Sequence, residues 1–241
     1  MATEKQLRDK VIKTARKYLG ASKGSRLHKS IVDIFNSVKP DGGAMTYVAP
    51  WCACFASAVE IKALGKDNAK KICPLSYNCG TIISKAMDMG IWVEDDAYKP
   101  KEADWILYDW HDSGKGDNRG IPDHVGIVES VKDNIITVIE GNKGVASECA
   151  RRNLRVNGAY IRGFVAIPYG KIATSKKTLK VGSKIKIAKG ATVYGTDRRF
   201  NDNVYSSIYK VIEISGDRVV FATKDGKTVM GATEKKNCLV Q

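Results

Sequence analysis

The sequence predicts an α+β domain followed by a small all-β module. Before Trp105, apolar side chains recur at the three- and four-residue spacing of helices. After Trp105 the chain changes to runs rich in Ile, Val, Trp and Tyr, which are typical of strands. From about residue 175 it is strand-like and strongly basic. Helices followed by an antiparallel sheet are the order of an α+β domain.

Composition limits the class of protein. The 241 residues carry 40 Lys and Arg against 26 Asp and Glu, a net charge of +14, and 43% are hydrophobic. Such a chain is neither disordered nor collagen-like. It has no apolar run near the roughly 20 residues that span a bilayer, and its N-terminus is charged, so we expect a soluble protein without a Sec-type signal. The positive charge predicts an anionic partner: nucleic acid, membrane or cell wall.

Charge and texture divide the chain near residue 175. We predict a first domain at residues 1–168, a linker at 169–178 and a second domain at 179–241. Residues 175–241 hold 14 Lys and Arg against 6 Asp and Glu, a net charge of +8. The shorter C-terminal part is therefore the more basic one.

Four helices are predicted in the first domain from the spacing of apolar residues. Three of them end at a glycine, a natural C-terminal stop: Gly20, Gly65 and Gly90. The predicted helices cover residues 4–19, 30–38, 52–64 and 81–89.

Strands are predicted in both domains. The first domain should contain strands at residues 104–110, 124–131, 135–140 and 162–167. The tail carries the strand-like segments KIKI, TVYGT, VYSSIYKVIEI, RVVFATKDGKTV and LVQ. Gly216-Asp217 and Asp225-Gly226 are typical of hairpin turns between them.

Cys52 is a candidate nucleophile because it opens the third predicted helix. Its sulfur would lie beside unpaired backbone N–H groups and the positive end of the helix dipole, which favour a thiolate. Cys54 lies about 200° further around the helix and should face away. The alternative is that Cys52 is a small buried hydrophobe, the commonest fate of a free cysteine.

A thiol enzyme also needs an imidazole that takes and returns a proton. His124 begins the apolar run HVGIV, whereas His28 lies in a basic turn and His111 in a polar loop, where we expect both to be solvated. His124 is therefore the candidate base. A structural histidine in a strand is the alternative.

The hairpin after His124 sets the predicted register of its strands. If residues 132–134 form a three-residue turn with Asn134 in the left-handed conformation, Val131 pairs with Ile135. A slip of one residue would move every partner, which leaves an ordinary polar strand end as the alternative.

That register predicts the neighbours of the candidate base. His124 faces Asn142, and Gly126 faces Glu140, which becomes a diagonal neighbour of His124 on the same face. Glu140 is the better choice for orienting the ring, because a carboxylate also stabilises the imidazolium formed during turnover.

Three blocks of sequence resemble, in order and spacing, the signature blocks of the CHAP amidase/peptidase family within the NlpC/P60-like cysteine hydrolases. They are PWCACFAS at residues 50–57, DHVGIV at 123–128 and IEGN at 139–142. The resemblance covers roughly residues 5–168 and implies a papain-like domain, with helices packed on an antiparallel sheet. It also implies that Cys52 is the nucleophile, that His124 is the base, and that Glu140 and Asn142 orient the histidine.

Two further points concern the region of this resemblance. The segment KPKEADWI at residues 99–106 resembles the family's P-x-x-G-D strand start, but Ala103 replaces the usual Gly, and we interpret Asp104 as structural. We take Trp51 and Trp105 as candidate substrate-binding residues.

The resemblance implies a phage endolysin that lyses bacteria by cleaving an amide of peptidoglycan, in the stem, the cross-bridge or the muramoyl-L-alanine linkage. Such an enzyme is made in the host cytoplasm without a signal peptide and acts on the wall after release. The tail looks like an SH3-type module that binds the wall, and its charge favours anionic wall polymers. We expect neither nucleic acid nor membrane insertion.

Two alternatives stay open. A basic protein with a β-rich tail can be a nucleic-acid binder whose cysteine and histidine are structural, although the sequence has no convincing recognition motif. The same catalytic group can also serve acyl transfer or an antibacterial toxin.

No cofactor is predicted. Six cysteines are too sparse for a disulfide scaffold, so we expect most of them to be reduced. Cys52-x-Cys54 with Cys73-x5-Cys79 does not have the spacing of a zinc site. Calcium is a minority alternative for the oxygen-rich loop 109–123, although the loop fails the EF-hand pattern. Its candidate ligands are Asp109, Asp112, Asp117, Asn118 and Asp123.

Overall fold

The structure is a computed structural model that describes residues 2–112, 118–173 and 179–241. It divides into two compact units, Met1–Thr174 and Ser175–Gln241. Half of the predicted linker, residues 174–178, lies outside the described residues, as does Asp117. None of the helices in the described ranges is long and apolar enough to cross a membrane.

The first unit combines helices with one antiparallel sheet, which confirms the predicted α+β class. Its helices are α1 (Glu4–Arg16), α2 (Arg26–Asn36), α3 (Cys52–Leu64), α4 (Lys66–Ile72) and α5 (Cys79–Asp88). Its strands are β1 (Trp92–Val93), β2 (Trp105–Tyr108), β3 (His124–Lys132), β4 (Ile135–Lys143), β5 (Glu148–Arg155) and β6 (Ile161–Val165). The strand order across the sheet is β1-β6-β2-β3-β4-β5.

Helix α3 is the centre of this unit. It packs against α1, α2, β3 and β4, and every residue in it except Lys62 is buried. The run of small and apolar residues in CACFASAVEIKAL explains this position, because a helix that is apolar all round is stable only inside a core. The site at its N-terminus is therefore held by a helix fixed on all sides.

The predicted elements are largely confirmed, and α3 has the predicted bounds. Helix α2 begins before the predicted start because Ser25 caps it, accepting a hydrogen bond from the backbone N–H of His28. The short α4 and the strands β1 and β5 were not predicted. In β5 the exposed positions carry Arg and Asn, and polar residues of this kind conceal an edge strand from a pattern search.

The tight turn between β3 and β4 differs from the prediction. Asp133 and Asn134 both have positive φ, +49° and +61°, and Lys132 pairs with Ile135. The loop thus has two residues of the I′ kind instead of three, because both central residues tolerate the left-handed conformation.

A β-bulge nevertheless restores the predicted register near the site. The pairing shifts between Val128 and Ser130, so that Ile127 faces Ile139, as the three-residue turn would have required. The extra residue is Glu129, whose carboxylate accepts hydrogen bonds from Arg16 and Arg151. The predicted register is therefore correct beyond the bulge, although the predicted turn was wrong.

The backbone before β2 shows why glycine is the usual residue at the position of Ala103. Ala103 has a φ of +67°, a conformation that glycine adopts without strain. Asp104 is fully buried and accepts hydrogen bonds from Arg8 at 2.9 Å, Lys101 N at 2.9 Å and the Tyr98 hydroxyl at 3.2 Å. These contacts fit a structural role for Asp104.

The second unit is a five-stranded antiparallel sheet in the order β10-β9-β8-β7-β11, with one short helix. Its elements are β7 (Lys184–Ile187), α6 (Asp202–Ser206), β8 (Tyr209–Ser215), β9 (Arg218–Ala222), β10 (Val229–Glu234) and β11 (Cys238–Val240). Among these residues the expected strand TVYGT contributes only an isolated bridge at Thr192. The expected strand VYSSIYKVIEI is shortened, because its first three residues lie in α6 and only its second half forms β8. The SH3-like assignment stays a prediction.

A buried carboxyl group lies within the core beside α3. Glu60 is fully buried, and its Oε1 accepts hydrogen bonds from the Tyr169 hydroxyl at 2.6 Å and from Trp105 Nε1 at 3.3 Å. Burial raises the pKa of Glu60 to about 7, against the opposing effect of these hydrogen bonds. Tyr169, which the sequence placed in the linker, is thus a core residue of the first unit.

Glu60→Gln should change the pH dependence of stability. Since the pKa of Glu60 is about 7 in the folded chain and 4.5 in a model carboxyl group, the folded state holds a proton that the unfolded state releases between these values. The unfolding free energy should then fall as pH rises through this window, by at most about 1.4 kcal/mol per pH unit. Urea unfolding across the window should show a smaller decline in Glu60→Gln.

Glu129→Gln is the matched control. Hydrogen bonding by Arg151 is the main cause that lowers the pKa of Glu129, so its contribution is lost only as pH falls below the window. This variant should keep the wild-type decline. Parallel curves for wild type and Glu60→Gln would show that the buried carboxyl group does not titrate there.

Candidate active site

Cys52 is the first residue of α3, at a helix end that no side chain caps. Its sulfur accepts a hydrogen bond from the backbone N–H of Ala53, as expected for an atom beside free helix-start donors. Only 6% of Cys52 is exposed, so the sulfur lies just below the surface in a poorly hydrated position. This local structure favours a thiolate.

His124, the first residue of β3, hydrogen bonds with Cys52. Its Nε2 lies 3.2 Å from Glu140 Oε2, which leaves Nδ1 as the ring nitrogen that is available to the sulfur. Glu140 is fully buried, and its other oxygen accepts a hydrogen bond from Arg152 Nε at 2.7 Å. The structure thus brings Cys52, His124, Glu140 and Arg152 into one chain of polar contacts.

Gly126 makes room for this chain. A Cβ atom at position 126 would lie 2.4 Å from Val138 Cγ1 and 2.9 Å from Glu140 Cγ, closer than atoms can approach. The absence of a side chain there lets Glu140 reach across the sheet to His124.

The contacts separate charge between sulfur and imidazole. Hydrogen bonding by Cys79 is the largest cause that lowers the pKa of Cys52 well below its usual value, and the hydrogen bond and charge of His124 add to it, against the effect of burial. Burial alone would lower the pKa of His124, but its hydrogen bonds to Cys52 and Glu140 outweigh burial and raise the pKa to about 9. The resting pair at neutral pH is therefore thiolate and imidazolium.

Glu140 and Cys54 have the protonation states that this pair requires. Burial would raise the pKa of Glu140, but hydrogen bonds from His124 and Arg152 lower it, so the carboxylate stays ionised. Burial raises the pKa of Cys54, which remains a thiol. Only one cysteine of the Cys52-x-Cys54 pair is thus activated.

Aromatic side chains surround the imidazole. Tyr108 and Trp110 stack with ring centroids 5.0 Å apart, and their centroids lie 5.6 Å and 5.9 Å from that of His124. The guanidinium of Arg152 lies over Trp110 at 4.9 Å. Trp110 and Tyr160 are 38% and 43% exposed, so this aromatic cluster reaches the surface beside the site.

Trp51 and Trp105 are not positioned to bind a substrate. Both are fully buried: Trp51 packs against His28 and Phe55, and Trp105 lies in β2 with its Nε1 bonded to Glu60. The prediction was wrong because each ring fills space around α3 instead of lining an opening.

Asn142 also differs from the expectation. It is a left-handed residue, with a φ of +59°, within an irregular stretch of β4, and its Oδ1 accepts a hydrogen bond from Ser147 Oγ at 2.5 Å. Ser147 Oγ in turn accepts a hydrogen bond from Trp51 Nε1 at 3.2 Å. The described contacts therefore give Asn142 a role in holding the loop, and Glu140 is the residue that contacts His124.

The other two histidines differ in their burial. His28, expected to be solvated, is fully buried in α2, where Nδ1 accepts a hydrogen bond from Gly24 N and burial lowers its pKa. That prediction was wrong because the basic turn begins helix α2, and His28 lies on the buried face of this helix with Ile31, Val32 and Phe35. The side chain of His111 is 88% exposed, as expected.

One group of side chains in the described ranges could hold a metal ion. Asp109, His111 and Asp123 place ligand atoms within 4.8 Å of one another. Exposed groups of this kind are common without an ion, and we assign no metal to them. These three residues lie at the two ends of loop 109–123, for which the sequence left calcium as a minority alternative.

The sequence search missed Arg152, Trp110 and Cys79. Arg152 could have been found by pairing β5 with β4, because it faces Val138, two residues from Glu140. Trp110 was placed in a strand that in fact ends at Tyr108. Nothing in the spacing of the cysteines distinguishes Cys79.

Two solved structures resemble the chain at low identity. A crystal structure of Ly7917 with the hydrolyzing product of MDP is 16% identical, has a TM-score of 0.38, and the match covers 97% of each chain. A crystal structure of Ly7917 is 15% identical, has a TM-score of 0.34, and the match covers 89% of this chain and 97% of that one. No curated protein matches significantly.

A family model provides the more specific comparison. The model of the CHAP domain matches residues 42–142, a range that contains Cys52, His124 and Glu140. This match confirms the family resemblance of the three sequence blocks, all of which lie within residues 42–142.

Proposed function

We propose that this chain is a peptidoglycan hydrolase of the endolysin type, with Cys52 as its nucleophile. The observation that carries the proposal is the buried chain of contacts from the Cys52 sulfur through His124 and Glu140 to Arg152. A thiolate beside an imidazolium oriented by a carboxylate is the apparatus of a cysteine amidase or peptidase. The CHAP domain supports the same class of reaction.

In the first step the Cys52 thiolate attacks the carbonyl carbon of an amide in the peptide stem, the cross-bridge or the muramoyl-L-alanine linkage. The oxyanion accepts hydrogen bonds from backbone N–H groups at the uncapped start of α3, including that of Cys52. The His124 imidazolium gives its proton to the leaving nitrogen. An amine departs and a thioester remains on Cys52.

In the second step the neutral His124 takes a proton from water, whose oxygen attacks the thioester. The carbon–sulfur bond breaks, the acid product leaves, and thiolate and imidazolium are restored. Glu140 holds Nε2 of the ring throughout, so Nδ1 keeps facing the sulfur. Together with His124, Arg152 keeps Glu140 ionised. Arg152 also donates a hydrogen bond to the second carboxylate oxygen of Glu140, which would otherwise lie unpaired in the core.

The second unit is the proposed wall-binding part. Residues 175–241 carry a net charge of +8, which favours anionic polymers of the bacterial wall. Such attachment would keep the catalytic unit near an insoluble substrate.

Cys52→Ala should abolish lysis of isolated cell walls, with a loss on the order of a thousandfold or more, because the covalent step disappears. The protein should still unfold cooperatively. Turbidity clearing measures the loss, and mass spectrometry of wild-type digests identifies the amide that is cleaved.

Cys54→Ala is the matched control, since Cys54 lies in the same helix and is also buried, with its thiol protonated. It should retain most of the activity. Near-complete lysis by Cys52→Ala would end the proposed mechanism.

Glu140→Gln should lower activity by about 10- to 100-fold, the usual effect of losing a hydrogen bond to a charged group. Because Glu140 helps raise the pKa of His124 to about 9, the variant should also lose activity at a lower pH on the alkaline side. A pH–rate profile measures both effects.

Glu148→Gln, a half-buried carboxyl residue in β5, serves as the control and should keep the wild-type profile. An unchanged alkaline limb in Glu140→Gln would show that this carboxylate does not hold the imidazolium.

The inactive Cys52→Ala chain should bind isolated walls, and the binding should weaken as salt concentration rises, because the attraction is between charges. A chain that ends at residue 173 should bind less. Walls stripped of anionic polymers should retain less of the full chain in a pull-down assay. Equal retention by stripped and intact walls would exclude those polymers as the ligand.

A further inference from the structure

Trp110 is an exposed aromatic residue beside the reactive groups, and the mechanism above gives it no task. It is the most exposed of the four tryptophans in the chain. Its ring centroid lies 5.9 Å from that of His124. A large aromatic side chain at the surface is informative, because the hydrophobic effect favours burying it. The exposed part of Trp110 is therefore a candidate contact for the substrate.

Although it is exposed, Trp110 is held in place from several sides. Its backbone N–H donates a hydrogen bond to Asp123 Oδ2 at 2.8 Å. Its ring stacks on the fully buried ring of Tyr108 with an interplanar angle of 10°, and the Arg152 guanidinium lies over it. A ring that is fixed before a ligand arrives loses little conformational freedom on binding, which favours affinity.

Tyr160 supplies a second exposed ring beside Trp110. The two ring centroids are 5.9 Å apart, and the ring planes are inclined at 59°. Tyr160 has a φ of +69°, which is unfavourable for a bulky residue. Its N–H donates a hydrogen bond to Asp112 Oδ2 at 2.6 Å, and its carbonyl oxygen accepts one from Asp109 N at 3.1 Å. Strained residues of this kind cluster at ligand-binding sites, which supports a binding role for the two rings.

The two cations that lie against these rings already have anionic partners. The Arg152 guanidinium pairs with the Glu140 carboxylate at 2.7 Å, and in the proposed mechanism the His124 imidazolium pairs with the Cys52 thiolate. The rings therefore suit a neutral ligand better than a carboxylate of the peptide stem, which needs a free cation. A pyranose ring is such a ligand, because its polarised C–H groups pack against the electron-rich face of an aromatic ring.

We propose that Trp110 and Tyr160 hold the muramoyl sugar ring of the glycan strand, so that the amide cleaved is the muramoyl-L-alanine linkage. The inference deepens the proposed function and rests on it, because it assumes that Cys52 attacks an amide of peptidoglycan. It selects one of the three kinds of amide named there.

The length of the substrate selects this linkage. Only the lactyl group separates the muramoyl ring from the carbonyl carbon of its amide. The centroids of Trp110 and His124 are 5.9 Å apart, so a sugar packed on Trp110 brings that carbon close to the reacting groups. Each further residue of an extended stem moves the next amide away by roughly 3.5 Å. Amides in the stem or the cross-bridge would therefore lie beyond the nucleophile.

The sugar then lies on the acyl side of the bond that breaks. The Cys52 thiolate forms a carbon–sulfur bond with the lactyl carbonyl carbon. The carbon–nitrogen bond breaks, and the alanine nitrogen leaves as an amine with the proton from His124. Water hydrolyses the thioester to a free lactyl acid. The two rings would hold the thioester intermediate as well as the substrate.

Two soluble substrates test the subsite: a muramoyl peptide and the corresponding D-lactoyl peptide, which has the same amide but no sugar. Wild type should have the higher kcat/KM on the muramoyl peptide, since the remote ring contributes binding energy. In Trp110→Ala this preference should fall about tenfold. Trp110→Phe keeps an aromatic ring and should keep part of the preference. Liquid chromatography of the released peptide measures both rates.

Trp92→Ala is the matched control. Trp92 also lies beneath an arginine, Arg162 at 5.4 Å, but it is in β1 at the edge of the sheet. This variant should keep the wild-type preference. If Trp110→Ala does not fold, Tyr160→Ala takes its place and should show the same selective loss.

Equal rates of wild type on the two substrates would overturn the proposal. An equal loss on both substrates in Trp110→Ala would also overturn it, because the ring would then only support His124. A third contrary result is a wall digest in which the new N-termini are residues other than alanine. That result would leave the proposed function intact, which fails only if the wild-type chain does not cleave walls.

Discussion

Charge separation inside a poorly hydrated site is the constraint on which the first unit depends. Neither the Cys52 thiolate nor the His124 imidazolium would persist alone at such low exposure, because burial favours the neutral form of each group. Each charge instead has polar partners: the thiolate has Cys79 and the start of α3, and the imidazolium has Glu140. Arg152 balances the carboxylate in turn. The row of contacts runs from a helix terminus across three strands to a half-exposed guanidinium.

This requirement explains much of the surrounding architecture. Helix α3 must stay fixed so that its first turn faces β3, and it is fixed because nearly all of its residues are buried. Position 126 must lack a side chain so that the side chain of Glu140 can reach His124. The two tryptophans that frame this region, Trp51 and Trp105, pack around the helix and give the site its rigidity instead of contacting a substrate.

Local patterns were enough to predict the four longer helices of the first unit, the central strands and the pairing of Cys52 with His124. Helix α3 was predicted to the residue because its apolar run ends at a glycine, and the candidate base was found because only one histidine begins an apolar strand. The partner Glu140 followed from the register, which was correct at the site although the turn was not. Burial could not be predicted for His28, Trp51 or Trp105, because it depends on packing between elements distant in sequence. For the same reason Cys79 and Arg152, which reach the site from α5 and β5, were not identified.

The bulge at Glu129 has a consequence for how this domain tolerates change. Its extra residue absorbs the difference between a two-residue and a three-residue turn, and two arginines from α1 and β5 fasten it there. The outer end of the β3–β4 hairpin is thereby uncoupled from the inner end, where the reaction takes place. Insertions or grafted peptides at the tip should be accommodated without moving the histidine, which makes this loop a natural attachment point for labels or foreign binding segments.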